Sequence, residues 1–149
     1  MRRIALVAGL ALALAASAAA APTNGAVVKA AYNKALKATI LVDSNGFTLY
    51  VTTADVPKNT SACDTDAACT KLWRSLPAPG TAGTGAKRSL LGTSTDGKVA
   101  TYAGHPLYFW RGGAGLGPAD KKPGQINGQG VYQVWWVITP KGTLIKKIP

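Results

Sequence analysis

The chain has 149 residues, with 17 Lys and Arg against six acids and a formal net charge of +11. Every acid is Asp, and His105 is the lone histidine. Paired-carboxylate hydrolysis and triad catalysis therefore have few residues to draw on. Seventeen Gly and nine Pro, with Thr and Val in short runs, point to short strands joined by many turns.

The N-terminus reads as a secretory signal peptide over residues 1–20. Arg2 and Arg3 supply a positive start, Ile4 to Ala16 is an apolar run, and the small residues Ser17 to Ala21 offer cleavage frames. Pro22 disfavours cleavage directly after Ala21, which places the expected cut near Ala20. As a helix the apolar run spans roughly 20 Å, short of the ~30 Å hydrocarbon core of a bilayer. No later stretch is apolar enough to span a membrane, and no Cys near the cut offers a site for a lipid. The expected product is one secreted or periplasmic, envelope-facing domain, residues 21–149. Removing Arg2 and Arg3 lowers its charge to +9, spread along the chain rather than in one block. Diffuse positive charge suits an anionic envelope. No nucleic-acid motif accompanies it, and nucleic acid is not an expected partner.

Thr39 to Val42 is the first predicted strand, Asp43-Ser44-Asn45-Gly46 a hairpin turn, and Phe47 to Thr52 the return strand. Cys63 and Cys69 are the only cysteines. In an exported chain they read first as a disulfide. Two thiols and one His make an incomplete set for a metal. Asp64 to Leu76 lacks Gly and Pro, with Ala68, Leu72 and Leu76 at spacings of four, which predicts a short helix. Asp64 and Asp66 would favour its start through the helix dipole. Pro77 to Gly85 is expected to be a linker. Asp96-Gly97 turns into a strand from Lys98 to Tyr102, and Gly104 to Pro106 turns into Leu107 to Trp110. A Gly-rich loop follows from Gly112 to Gly130; it lacks the Lys-Ser/Thr ending of a phosphate-binding loop. Val131 to Ile138 is the most strand-like segment, and Lys141-Gly142 starts a last hairpin into Thr143 to Ile148.

Gly46-Phe47-Thr48-Leu49-Tyr50 matches Gly104-His105-Pro106-Leu107-Tyr108, and each copy runs on to a Trp and an apolar stretch at Trp73 and Trp135. This marks two degenerate repeats, about residues 38–79 and 96–140. Neither is large enough to bury a core alone. The expected architecture is mostly β: a small sandwich or barrel of two related β-rich repeats with one short helix.

The order Leu-Tyr strand, Asp55, Cys63, Cys69, Trp73 resembles the bacterial secreted-repeat lipoproteins that carry a Tyr-x-(Phe/Trp/Tyr)-x-x-Asp motif. So does the later order Leu107-Tyr108-Phe109-Trp110, Asp120-Lys121-Lys122-Pro123-Gly124, Asn127-Gly128, Trp135. The likeness extends roughly from Lys29 to Gly142, and the family has no established biochemical activity to carry over. The chain departs from the pattern at several points. Thr52 holds the aromatic position of the first motif. Gly113 stands where the second Asp belongs, with Asp120 displaced beyond an insertion of about Gly113 to Ala119. Gln125 replaces a further Asp, the lipid-attachment Cys is missing, and the two cysteines are more widely spaced.

The candidate motif and binding residues are Tyr50, Asp55, Trp73, Tyr108, Trp110, Asp120 and Trp135. Successive strand residues face opposite sides. Of Trp135 and Trp136, and of Phe109 and Trp110, one aromatic is therefore expected near the surface or under a loop. The aromatics would form either core packing beneath the long loop or a platform for a ligand. Asp55 and Asp120 would accept loop N–H groups and fix the loops after the Leu-Tyr strands. His105, at a predicted hairpin tip, is expected to be solvated. No catalytic residue, metal site or cofactor is assigned. The expected function is a non-catalytic binding or structural module whose partner is an anionic envelope polymer or envelope protein. The alternative is an envelope accessory protein for metal or redox chemistry.

Overall fold

The computed structural model describes residues 26–56 and 58–149. The expected signal peptide and its cleavage site lie outside the described residues. The chain forms strands β1 (Ala26–Asn33), β2 (Ala38–Asp43) and β3 (Tyr50–Thr52), then helix α1 (Ala67–Leu72). Strands β4 (Trp73–Ser75), β5 (Gly80–Ala82), β6 (Leu91–Thr93), β7 (Ala100–Tyr102) and β8 (His105–Pro106) follow. The last are β9 (Tyr108–Trp110), β10 (Trp135–Ile138) and β11 (Leu144–Ile145). The domain is mostly β, and among the described residues no sheet closes into a barrel.

The central sheet has the order β11-β10-β3-β9-β4. Strand alternation splits its side chains between two cores. Tyr50, Trp73, Tyr108, Trp110, Trp135 and Val137 enter one core, with Ile40 and Val42 from β2. Val51, Ile138, Leu49 and Leu107 enter the other, with Leu41, Val28 and Tyr102. Two smaller sheets, β2-β1-β5 and β6-β7-β8, complete the molecule.

The turn at 43–46 forms as its residue types require. The Asp43 carboxylate accepts the N–H groups of Asn45 and Phe47 at 2.9 and 2.8 Å, and Gly46 takes φ +88°. The return strand is more broken than expected: Thr48 bridges Val42 and regular pairing resumes only at Tyr50.

Other boundaries differ from the sequence expectation. The helix expected over 64–76 is one 3-10 turn at Cys63–Thr65, a break at Asp66, and six residues of α1. Asp66 is extended, and its carboxylate caps the N–H groups of Ala68 and Cys69, so the helix begins there. It ends at Leu72 because Trp73, Arg74 and Ser75 pair with Trp110, Phe109 and Tyr108. Aromatic cross-strand pairing overrides the helical spacing. The expected linker 77–85 holds β5, which pairs in parallel with β1 through backbone groups that composition does not reveal. The strand expected from Val131 starts only at Trp135, because Gly130, Tyr132 and Gln133 all take positive φ in a tight turn. Strands β1 and β6 carried no clear alternation and were not foreseen.

Trp135 and Trp136 face opposite sides of β10, yet both are buried. The position of Gly130 explains the second: Ile148 and the Trp136 ring both approach it, so the C-terminal segment folds over that face. Gln129 holds this segment, donating to the carbonyls of Ile145 and Lys147 at 2.6 and 2.8 Å while accepting the Val137 N–H at 2.9 Å.

Candidate functional site

The motif residues gather about the contact between β3 and β9, where Tyr50 and Tyr108 are directly opposed. Each tyrosine reaches the aspartate that follows the other. The Tyr50 hydroxyl donates to Asp120 Oδ2 at 2.6 Å, and the Tyr108 hydroxyl donates to Asp55 Oδ2 at 2.8 Å. The remaining oxygen of each carboxylate accepts a backbone N–H seven residues further along. Asp55 Oδ1 takes Ala62 N–H at 2.9 Å, and Asp120 Oδ1 takes Asn127 N–H at 2.9 Å. Each phenol oxygen also receives a bond, from the Ser61 hydroxyl onto Tyr108 (2.7 Å) and from Gly128 N–H onto Tyr50 (3.2 Å). The carboxylates and phenols thus spend their hydrogen-bonding capacity inside the fold. Asp120 performs the same bonding as Asp55, although it follows Tyr108 by twelve residues where Asp55 follows Tyr50 by five.

Burial raises both carboxyls above the usual Asp range, and their hydrogen bonds from Tyr108 and Tyr50 offset part of that rise. Burial likewise pushes both phenols well above their ordinary value, with the adjacent carboxylates adding to the effect. At neutral pH each tyrosine is a neutral donor.

The tryptophans repeat the same two-fold arrangement. Trp73 and Trp135 stack on each other, with centroids 3.8 Å apart and planes 11° apart. Tyr50 meets Trp73 edge-on and Tyr108 meets Trp135 edge-on. In the sheet, Trp73 lies opposite Trp110, and Trp135 lies opposite Thr52. Thr52, the non-aromatic member of the first motif, thus holds the place that Trp110 holds in the second. Trp110 caps the stack on one side, 4.6 Å from Trp73, and its indole N–H donates to the Pro118 carbonyl at 2.8 Å. Buried Trp73 Nε1 has no hydrogen-bond partner among the described residues. All seven motif residues therefore come together in one cluster, and its tryptophans and tyrosines are buried.

The Gly-rich loop is fastened to this cluster rather than free. Gly128 lies so close to the stack that a Cβ there would sit 2.8 Å from Trp73 and 2.9 Å from Trp110. Gln125, in place of an expected Asp, accepts the N–H groups of Lys121 and Lys122 through its side chain. Asn33 and Thr48 bind the carbonyls of Gly124 and Gln125. The Cys63–Cys69 disulfide is formed, with Cα atoms 5.2 Å apart, and ties the 3-10 turn to α1. Both cysteines, Asp55 and Trp135 line a shallow cleft of about 160 Å³.

His105 stands apart from the cluster. It is half-buried rather than fully solvated, and its buried Nδ1 has no partner among the described residues. Burial, and then the nearby Lys58, lower its pKa. Among the described residues no three His, Cys or Asp side chains gather as a metal site. No helix among them is long and apolar enough to cross a membrane.

A cleft of about 370 Å³ opens beside Asp120 and brings in residues outside the seven motif positions. Phe47, Phe109, Arg74 and Arg111 line it, with Asp43 and Asn45 at the hairpin turn. The Arg74 guanidinium lies over the Phe109 ring, 4.6 Å from its centroid. Of Phe109 and Trp110 one was expected near the surface, and Phe109 is the less buried of the two; its pairing with Arg74 depends on the register of β4, which no local pattern announces.

No curated protein and no solved structure matches this chain. Residues 91–139, which carry Tyr108, Trp110, Asp120 and Trp135, match a family described as a secreted repeat of unknown function.

Proposed function

We propose that the protein is a non-catalytic binding module of the cell envelope or extracellular space, built from two degenerate copies of one unit and acting on an anionic envelope partner. The observation that carries this reading is the exchange of Tyr–Asp bonds. The residues with the most chemical capacity, two aspartates and two tyrosines, are satisfied by each other and by loop N–H groups. Such an arrangement holds loops in place, which is the role these groups take in a binding or structural module. The matched family's description as secreted supports the location. The surplus of Lys and Arg supports an anionic partner. The test is retention of the purified, signal-free protein on envelope fractions of its host, followed by a salt gradient. Saturable retention that falls with ionic strength is expected. Failure to bind any envelope fraction at low salt overturns the reading.

A second reading, redox chemistry, draws on the small cleft that Cys63 and Cys69 line beside Asp55. It requires the folded protein to exchange its disulfide readily with a small dithiol. A bridge that resists exchange until the protein unfolds removes this reading.

A further inference from the structure

We infer that the 370 Å³ cleft is a binding site for an acidic sugar residue of an extracellular polysaccharide, an inference that rests on the binding-module reading and names its ligand class. The volume falls within the range typical of small-ligand sites. Its wall carries two cations. The Arg74 guanidinium lies over the ring of Phe109, its cross-strand neighbour, and its N–H groups can serve a planar anion such as a carboxylate. Arg111 projects from a backbone position held by the bond from its N–H to the Leu72 carbonyl, directly after the anchored Trp110. Among the described residues neither guanidinium is paired with a carboxylate.

The same wall rules against a simple polyanion. Asp43 lines the cleft with one oxygen committed to the turn N–H groups and the other without a partner among the described residues. A phosphate polymer would bring its charge against that carboxylate. A sugar acid uses both signs, placing its carboxylate on the arginines and a hydroxyl on Asp43. The Asn45 amide adds a second hydroxyl partner, and half-buried Phe47 offers an apolar surface for the C–H face of a sugar ring. A neutral glycan leaves both guanidinium groups without an acceptor. Asp120 also borders the cleft, but Tyr50 and Asn127 occupy both of its oxygens.

Calorimetric titration of the signal-free protein with three probes tests the assignment: a glucuronic-acid oligosaccharide, the same oligosaccharide with its carboxyls reduced to alcohols, and a glycerol-phosphate polymer. The acidic oligosaccharide is expected to bind, with the reduced form and the phosphate polymer at least about tenfold weaker. Arg74→Gln and Arg111→Gln should each weaken the acidic probe by a similar factor, while the thermal midpoint stays at the parent value. Equal binding of the reduced probe or of the phosphate polymer overturns the proposal. So does binding of the acidic probe that both variants leave unchanged, although the module reading then stands. Silence from all three probes also overturns it, and the envelope-retention assay decides separately whether the module reading survives.

Discussion

At the scale of single residues, Asp55 and Asp120 carry the sharpest expectations. Asp55→Ala strips Tyr108 and Ala62 of buried acceptors, and an unpaired buried polar group costs about 1–3 kcal/mol. The expected loss is about 2–3 kcal/mol in urea denaturation, with Asp55→Asn losing less because an amide oxygen still accepts. A variant as stable as the parent would show that the bonds do not hold the loop. The pH dependence follows from the raised carboxyl pKa values. Between the ordinary Asp value near 3.9 and the raised folded value, the native state binds more protons than the unfolded chain. The stabilisation is therefore full below that ordinary value and is lost as pH rises through the folded one. Asp96 works in the opposite direction, because the Ser94 hydroxyl and the Lys98 N–H lower its pKa. The informative quantity is thus the difference between the parent and the Asp55→Asn/Asp120→Asn double variant. The parent's stability relative to that variant should fall as pH rises from about 4; a flat difference contradicts the burial of the two carboxyls. Gly128→Ala is a further residue-scale test. Its methyl group would meet Trp73 and Trp110 at under 3 Å, an overpacking expected to cost about 1–3 kcal/mol in the same assay.

Among the elements, what the sequence revealed follows the reach of its signals. The 43–46 turn was legible because the Asp43 side chain acts on backbone two and four residues away. The disulfide was legible from the two cysteines together with the expectation of export. The pairing of each Asp with the Tyr of the other half was not legible, because bonds between Tyr50 and Asp120 span seventy residues and leave no local periodicity. Asp as a fastener of its own loop was foreseen; its second bond, across the sheet, was not. Strand β4 was hidden for a similar reason: its residues fit a helix until Trp110 and Phe109 arrive as neighbours. The disulfide ties this transition region down at the α1 side. Replacing both cysteines by Ser should lower stability by about 2 kcal/mol, as the closure of so short a loop implies. Proteolysis should then cut first within residues 60–72. Cleavage elsewhere at an unchanged rate would show that the bridge is dispensable to that region.

For the molecule as a whole, the two halves share one sheet and one aromatic stack, so neither half contains its own core. A fragment of residues 91–149 carries all of the family-matched segment but lacks Tyr50 and Trp73, the partners of Asp120 and Trp135. As a monomer it should show no cooperative thermal transition by circular dichroism; a sharp transition would mean that the second half folds alone. The exchanged bonds have one further implication. A contact in which each partner gives its Tyr to the other's Asp has the form of a two-fold interface between separate molecules. Here both partners sit on one chain, so their association is intramolecular and does not weaken on dilution. At high dilution, that is the difference between an interface that dissolves away and one that persists in a single copy.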